Sequence, residues 1–113
     1  MRLPNAESLV VEPDKVRYYL LSRTHPIGMH KAAFFLSLGY SATAWQHLAR
    51  DLARIGHEGR AEIGRHNGYG QLYTVDGKLG GAGDQVAPVR TVWIVRDCDD
   101  RPRLVTAYRG DDT

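Results

Sequence analysis

One cysteine, Cys98, stands among the 113 residues. It cannot close an internal disulfide, and it has no second thiolate with which to hold a metal. A reducing compartment is therefore the expected setting. Its neighbours Asp97, Asp99 and Asp100 disfavour a thiolate, so Cys98 reads as a passive turn residue. Long apolar runs are equally scarce: none approaches the ~18 residues that would cross a bilayer. Residues 1–7 lack the apolar core of a signal peptide. No membrane association is expected, and the cytoplasm is the expected location. The chain has no internal repeat and no low-complexity segment. It also lacks a large excess of either charge, with a formal net charge of +2 and a pI near 8.9. That balance is compatible with a basic face for RNA but does not demand one.

What is present is ordinary globular material, with 42% apolar and 25% charged residues. The length suits one domain with one core. Helical spacing occupies the first half, and the helical part is expected within residues 1–56. Pro13 suits a first helical position, and Val16, Tyr19 and Leu20 recur at helical intervals, which predicts a helix over 13–22. Thr24 or His25 before Pro26 predicts a second start. That helix carries Phe34, Phe35 and Leu38, with Gly39 as its left-handed stop. Ser41 is the expected cap of a third helix, whose stripe Trp45, Leu48, Leu52 and Ile55 ends at Gly56.

Alternation takes over afterwards, with the sheet part expected within residues 60–109 and a free tail at 110–113. Asn67-Gly68 is a tight-turn signal. Strands are expected over 69–79, although Asp76-Gly77 could instead turn or bulge that one, over 86–96, and over 103–108 after a turn at 97–102. Short connections make neighbouring strands antiparallel. The expected fold class is thus α+β: two or three N-terminal helices packed on a four-stranded antiparallel meander. Strict period two puts Leu104, Thr106 and Tyr108 on one face, and Arg90, Val92, Ile94 and Arg96 on one face of the preceding strand. Pattern alone leaves open which face meets the helices.

The segment from Thr24 to Phe35 is the most informative. His25 sits before a helix start, Lys31 follows six residues on, and the Phe34-Phe35 pair then enters the core. His25 has the right unperturbed pKa for proton transfer. The helix start adds unpaired N–H groups and a positive dipole end near Pro26 to Gly28. Thr106 and Tyr108 form a second polar set on the last strand. Each residue alone is commonplace; if the two sets meet, they compose a metal-free site suited to phosphodiester chemistry. Five histidines, His25, His30, His47, His57 and His66, suggest a metal only superficially. The His25 and His30 pair lacks a third ligand, and neither a metal nor another cofactor is expected. Gly77 to Gly83 lacks the Lys-Ser/Thr ending of a phosphate loop.

Four strings resemble a group of small bacterial domains that brings no activity with it. They are Leu3-Pro4-Asn5-Ala6-Glu7, His25-Pro26-x-Gly28-x-x-Lys31-Ala32-x-Phe34-Phe35-x-x-Leu38-Gly39-Tyr40, Thr91-Val92-Trp93-Ile94, and Pro102-Arg103-Leu104-Val105-Thr106-Ala107-Tyr108. At a looser level, the layout is similar to the barnase–EndoU–colicin–RelE superfamily of ribonuclease toxins. That resemblance implies metal-independent RNA cleavage by 2′-hydroxyl attack, with tRNA and mRNA both open as targets, restrained by a cognate antitoxin or immunity protein. By role it implies His25 and Lys31 as the helix-side catalytic pair and Thr106 and Tyr108 as the closing-strand pair. Arg96 and Arg90 would bind substrate, and His30 would join them or rival His25. Met29-His30 stands where a second strongly basic residue is expected, and Arg109 where a proline is common. The alternative is a non-catalytic module, an antitoxin, immunity or adaptor domain that binds protein through its exposed sheet face. A homodimer is left open.

Overall fold

Helices and strands separate in space as they do along the chain. The computed structural model describes residues 1–26, 29–80 and 86–110, apart from the side chain of His30. A short 3-10 turn, Ala6–Ser8, leads to α1, Pro13–Lys15, which runs on as a π-helical stretch, Val16–Leu20. Then come α2, Met29–Ser37, and α3, Trp45–Glu58. Four strands follow: β1, Ala61–His66, β2, Gly70–Leu79, β3, Ala87–Arg96, and β4, Asp99–Arg109. They form one antiparallel sheet in the order β1-β2-β3-β4. The α+β meander is as expected.

Local chemistry explains most of the boundaries. Pro13 opens α1, as its fixed φ allows. At the end of α2, Gly39 has φ 95°. The Tyr40 N–H donates to the Phe35 carbonyl and the Gly39 N–H to the Leu36 carbonyl, the paired reversal that satisfies a helix's last carbonyls. Asn67 Oδ1 accepts from the N–H groups of Tyr69 and Gly70, and Gly68 takes φ 91°, which makes the β1–β2 turn.

Several expectations are corrected. The expected second helix is described from Met29, whose N–H donates to the His25 carbonyl, and its start after Pro26 falls on Ile27 and Gly28, outside the described residues. The expected amide cradle includes Ile27 and Gly28, which lie outside the described residues. The Ser41 hydroxyl accepts from the Ala44 N–H and so closes a turn ahead of α3, whose own N-cap is Ala44. Gly56 does not stop α3, which continues to Glu58. Its missing side chain makes room for Trp93, because a Cβ there would stand 2.6 Å from Trp93 Cζ2. The strand expected over 69–79 is present as β2, and of its two readings at Asp76-Gly77 the continuous one holds: the register with β3 runs unbroken through Gly77 and Val89. Of the expected tail, Gly110 still donates its N–H to the Pro88 carbonyl, and residues 111–113 lie outside the described residues.

The core lies between the helices and one sheet face. Val89, Thr91 and Trp93 of β3 face inward, with Tyr73, Val75 and Leu79 of β2, against Leu48, Leu52 and Ile55 of α3 and Val16, Leu20 and Phe35. Burying each such aliphatic or aromatic side chain contributes about 1.5–3 kcal/mol. Thr91 is the one polar side chain fully enclosed among the described residues. Its hydroxyl accepts from Trp93 Nε1 and donates to the Val75 carbonyl, each at 2.7 Å. Arg90, Val92 and Arg96 therefore lie on the opposite face of the sheet.

Strict alternation fails in β4. Leu104 pairs with Trp93 while Thr106 pairs with Val92, so Val105 is an extra residue in a bulge. The bulge sends Leu104 to the core and turns Thr106 and Tyr108 to the opposite face. The expectation that all three share a face is corrected. β4 is also a sheet edge, and its near end is covered by Val10, which bridges Arg103 in parallel.

Candidate functional site

Tyr19 is the centre around which the polar residues gather. Val16 and Leu20 point into the core, and the wider turn of the π stretch, closed by the Leu21 N–H to the Val16 carbonyl at 3.0 Å, swings Tyr19 to the edge of β4. There its phenol shares a 3.1 Å hydrogen bond with Thr106 Oγ1. The Nζ atoms of Lys15 and Lys31 lie 5.2 Å and 5.5 Å from its ring centroid. The His25 imidazole meets the same ring edge-on, at 5.1 Å between centroids and 80° between planes. Four chain segments thus bring Lys15, Tyr19, His25, Lys31 and Thr106 together.

Local bonds hold these groups in place. Ser22 Oγ accepts from the backbone N–H groups of Thr24 and His25, and the His25 carbonyl accepts from the Met29 N–H, so the His25 backbone is fixed on both sides. Lys15 and Tyr19 are four residues apart on one helical face. Lys31 sits in the first turn of α2, and Thr106 is presented by the bulge in β4. A cleft of about 690 Å³ opens here, lined by Lys15, Tyr19, His25 and Thr106 together with Glu12 and Asp14. Glu12 is already engaged by Arg103 at 3.1 Å.

The electrostatics favour a more acidic phenol. Burial pushes the Tyr19 hydroxyl up. The hydrogen bond with Thr106 and the ammonium groups of Lys31 and Lys15 more than offset that, and hold it below the ordinary tyrosine value. A phenol so placed gives up its proton more readily than a free tyrosine.

The other sequence candidates fall around this centre. Tyr108 stands two residues beyond Thr106 on the same face, opposite Arg90 in the register. Arg90 forks onto Asp76, with bonds of 2.8 Å and 3.0 Å. That fork holds the Arg90 pKa up, first through the hydrogen bond and then through charge, with a smaller contribution from Tyr108. Arg96 lies near the other end of β3, exposed, and makes no ion pair among the described residues. It lines a separate cavity beside Tyr69. His30 is on α2, but its side chain is outside the described residues. His25, Lys31 and Thr106 are therefore gathered, Tyr108 and Arg90 adjoin them along the sheet, and Arg96 is apart.

Tyr19 and Lys15 escaped the sequence reading. By spacing alone Tyr19 falls in one helical stripe with Val16 and Leu20. The available signal was the Lys15-x-x-x-Tyr19 spacing, which sets an ammonium beside a phenol on one helical face. Among the described residues, no three His, Cys, Asp or Glu side chains come together as a ligand set. No helix among them is long and apolar enough to cross a membrane.

Comparison with known proteins adds a family and a fold. The family model described as Domain of unknown function (DUF6883) matches residues 2–111, and the chain belongs to that family. No curated protein matches the sequence. The chain is similar to a solved structure, the contact-dependent growth inhibition toxin–immunity protein complex from Klebsiella pneumoniae 342. The TM-score is 0.68 at 13% identity, over 94% of this chain and 97% of that one. At that identity the likeness is one of fold.

Proposed function

For this member of the DUF6883 family we propose a metal-independent endoribonuclease activity, of the kind a toxin carries and a cognate immunity protein or antitoxin restrains. The observation that carries the reading is the convergence of His25, Lys31 and Thr106 with Lys15 on one phenol, Tyr19. The shared fold with a toxin–immunity complex supports the biological setting.

The chemistry needs a base, an acid and positive charge at phosphorus. The His25 imidazole takes the proton of the ribose 2′-hydroxyl. The freed oxygen attacks the adjacent phosphorus, and the bond from phosphorus to the 5′-oxygen breaks. The Tyr19 phenol gives its proton to that leaving oxygen. The products are a 2′,3′-cyclic phosphate and a 5′-hydroxyl. Lys31 and Lys15 balance the charge that builds on the phosphate, and they also favour proton loss from Tyr19. Thr106 fixes the phenol's direction. Tyr108 forms the next rim along the sheet, where it binds substrate, beside Arg90, whose guanidinium Asp76 engages. The test is cleavage of RNA by purified protein with a chelator present. The reading expects a cyclic-phosphate product, loss of cleavage in His25→Ala, and growth arrest on expression. An inactive parent protein, or full cleavage by His25→Ala, contradicts it.

A second reading has one observation in its favour. The sheet face opposite the core carries Leu72 and Val92, both half-buried, with Ile94 opposite Leu72 in the register. An immunity or adaptor module would use that face to bind a protein. Tight complex formation with a toxin, together with absence of cleavage, favours this reading over the enzyme.

A further inference from the structure

A second cavity, of about 550 Å³, adjoins the Tyr19 cleft and shares Glu12, Lys15 and Val105 with it. Tyr69 and Arg96 line it with Ile94. Tyr69, 77% exposed, is the most exposed large hydrophobic side chain among the described residues. Its backbone, however, is held at both ends. The Tyr69 N–H donates to Asn67 Oδ1 at 3.0 Å, and its carbonyl accepts from the Asp97 N–H at 2.9 Å. The ring is thus carried on a braced turn with its surface open to solvent. Arg96, beside it, has no carboxylate partner among the described residues, whereas Arg90 and Arg103 are both committed to acids. An open aromatic ring next to an unpaired guanidinium matches one nucleotide of a single strand: the base stacks and the phosphate pairs with the cation. Lys15 lies on the wall between the two cavities, where the next phosphate would pass.

We propose that this cavity is a nucleotide subsite, in which Tyr69 stacks on the base of a nucleotide flanking the scissile bond and Arg96 holds its phosphate. The inference rests on the ribonuclease reading for its substrate, but its test does not depend on cleavage. The probe is a short, mixed-sequence, single-stranded 2′-O-methyl RNA carrying a fluorescent label, which cannot be cut by 2′-oxygen attack. Anisotropy titration measures its affinity for the parent protein and for Tyr69→Ala, Tyr69→Trp and Arg96→Ala. Loss of one base stack lowers affinity about fivefold to a hundredfold, so Tyr69→Ala is expected in that range and Tyr69→Trp near the parent. Arg96→Ala is expected to weaken binding and flatten its salt dependence by about one phosphate contact. Both side chains to be changed, Tyr69 and Arg96, are at the surface, and circular dichroism checks that each variant is folded. Parent-like affinity in both Tyr69→Ala and Arg96→Ala overturns the subsite, and cleavage by the parent would then leave the nuclease reading standing. Tyr69-dependent binding by a parent that cuts no RNA keeps the subsite and removes the nuclease. Failure of the parent to bind the probe overturns the subsite by itself.

Discussion

Replacing Thr91 by Val should be costly even though shape and volume barely change. The Thr91 hydroxyl sits between two buried groups, accepting from Trp93 Nε1 and donating to the Val75 carbonyl, each at 2.7 Å. Thr91 and Trp93 are both fully enclosed. Valine leaves the indole N–H without an acceptor in a site that water does not reach. A buried donor left without its partner costs about 1–3 kcal/mol. In a domain of this length, a loss of about 2 kcal/mol lowers Tm by roughly 6–12 °C. Thr91→Ser keeps the hydroxyl and removes one methyl, which costs about 1 kcal/mol. The cleaner assay is a double-mutant cycle by urea unfolding with Trp93→Phe, which removes the donor. In that background Thr91→Val should lose most of its effect, and the coupling should be about 1–2 kcal/mol. An effect of Thr91→Val below about 0.5 kcal/mol, on the scale of an ordinary surface change, or one equal in both backgrounds, would refute the reasoning.

Gly56→Ala places a Cβ 2.6 Å from Trp93 Cζ2 and 2.9 Å from Leu9 Cδ2. The better helix former should therefore destabilise, by about 1–3 kcal/mol in urea unfolding, as overpacking does. Arg90 hydrogen-bonds Asp76 and holds its carboxyl below the usual carboxylate range, against the opposing effect of burial. A depressed folded pKa contributes stability that is present above the unfolded value of about 4 and is lost as pH falls through the folded value. The Tm gap between the parent and Asp76→Asn should be widest at neutral pH and close on acidification. The pair is exposed, so the difference in stability should stay under about 1 kcal/mol; a Tm gap that widens in acid would contradict the assignment.

Fold and site were legible to different degrees. The stripe from Trp45 to Ile55, the stop at Gly39 and the turn at Asn67-Gly68 are local signals with local causes, and the corresponding helix and turns stand where those signals lie. Two features were hidden because they come from tertiary packing. Nothing in the string from Val16 to Leu20 marks a π stretch, and that stretch is what carries Tyr19 to β4. Nothing around Val105 singles out a bulge, since polar and apolar residues are mixed on both faces of Arg103 to Tyr108. Without these two distortions Tyr19 belongs to a core stripe and Thr106 shares a face with Leu104, so the partner of Thr106 could not be seen. Gly56 shows the same limit: a glycine at a helix end resembles a stop until Trp93 is found beneath it.

The proposed function makes the groups around Tyr19 a reacting centre rather than a structural knot. Tyr19→Phe separates the two, because it keeps the ring that Lys15, Lys31 and His25 approach and removes only the oxygen bonded to Thr106. The decisive measurement is single-turnover RNA cleavage by folded Tyr19→Phe beside the parent, in chelator. Loss of a positioned proton donor predicts a fall in rate of about a hundredfold to ten-thousandfold, with the hydrogen bond's removal costing only about 1 kcal/mol of stability. A parent that cleaves, with Tyr19→Phe cleaving at the same rate, would contradict the account.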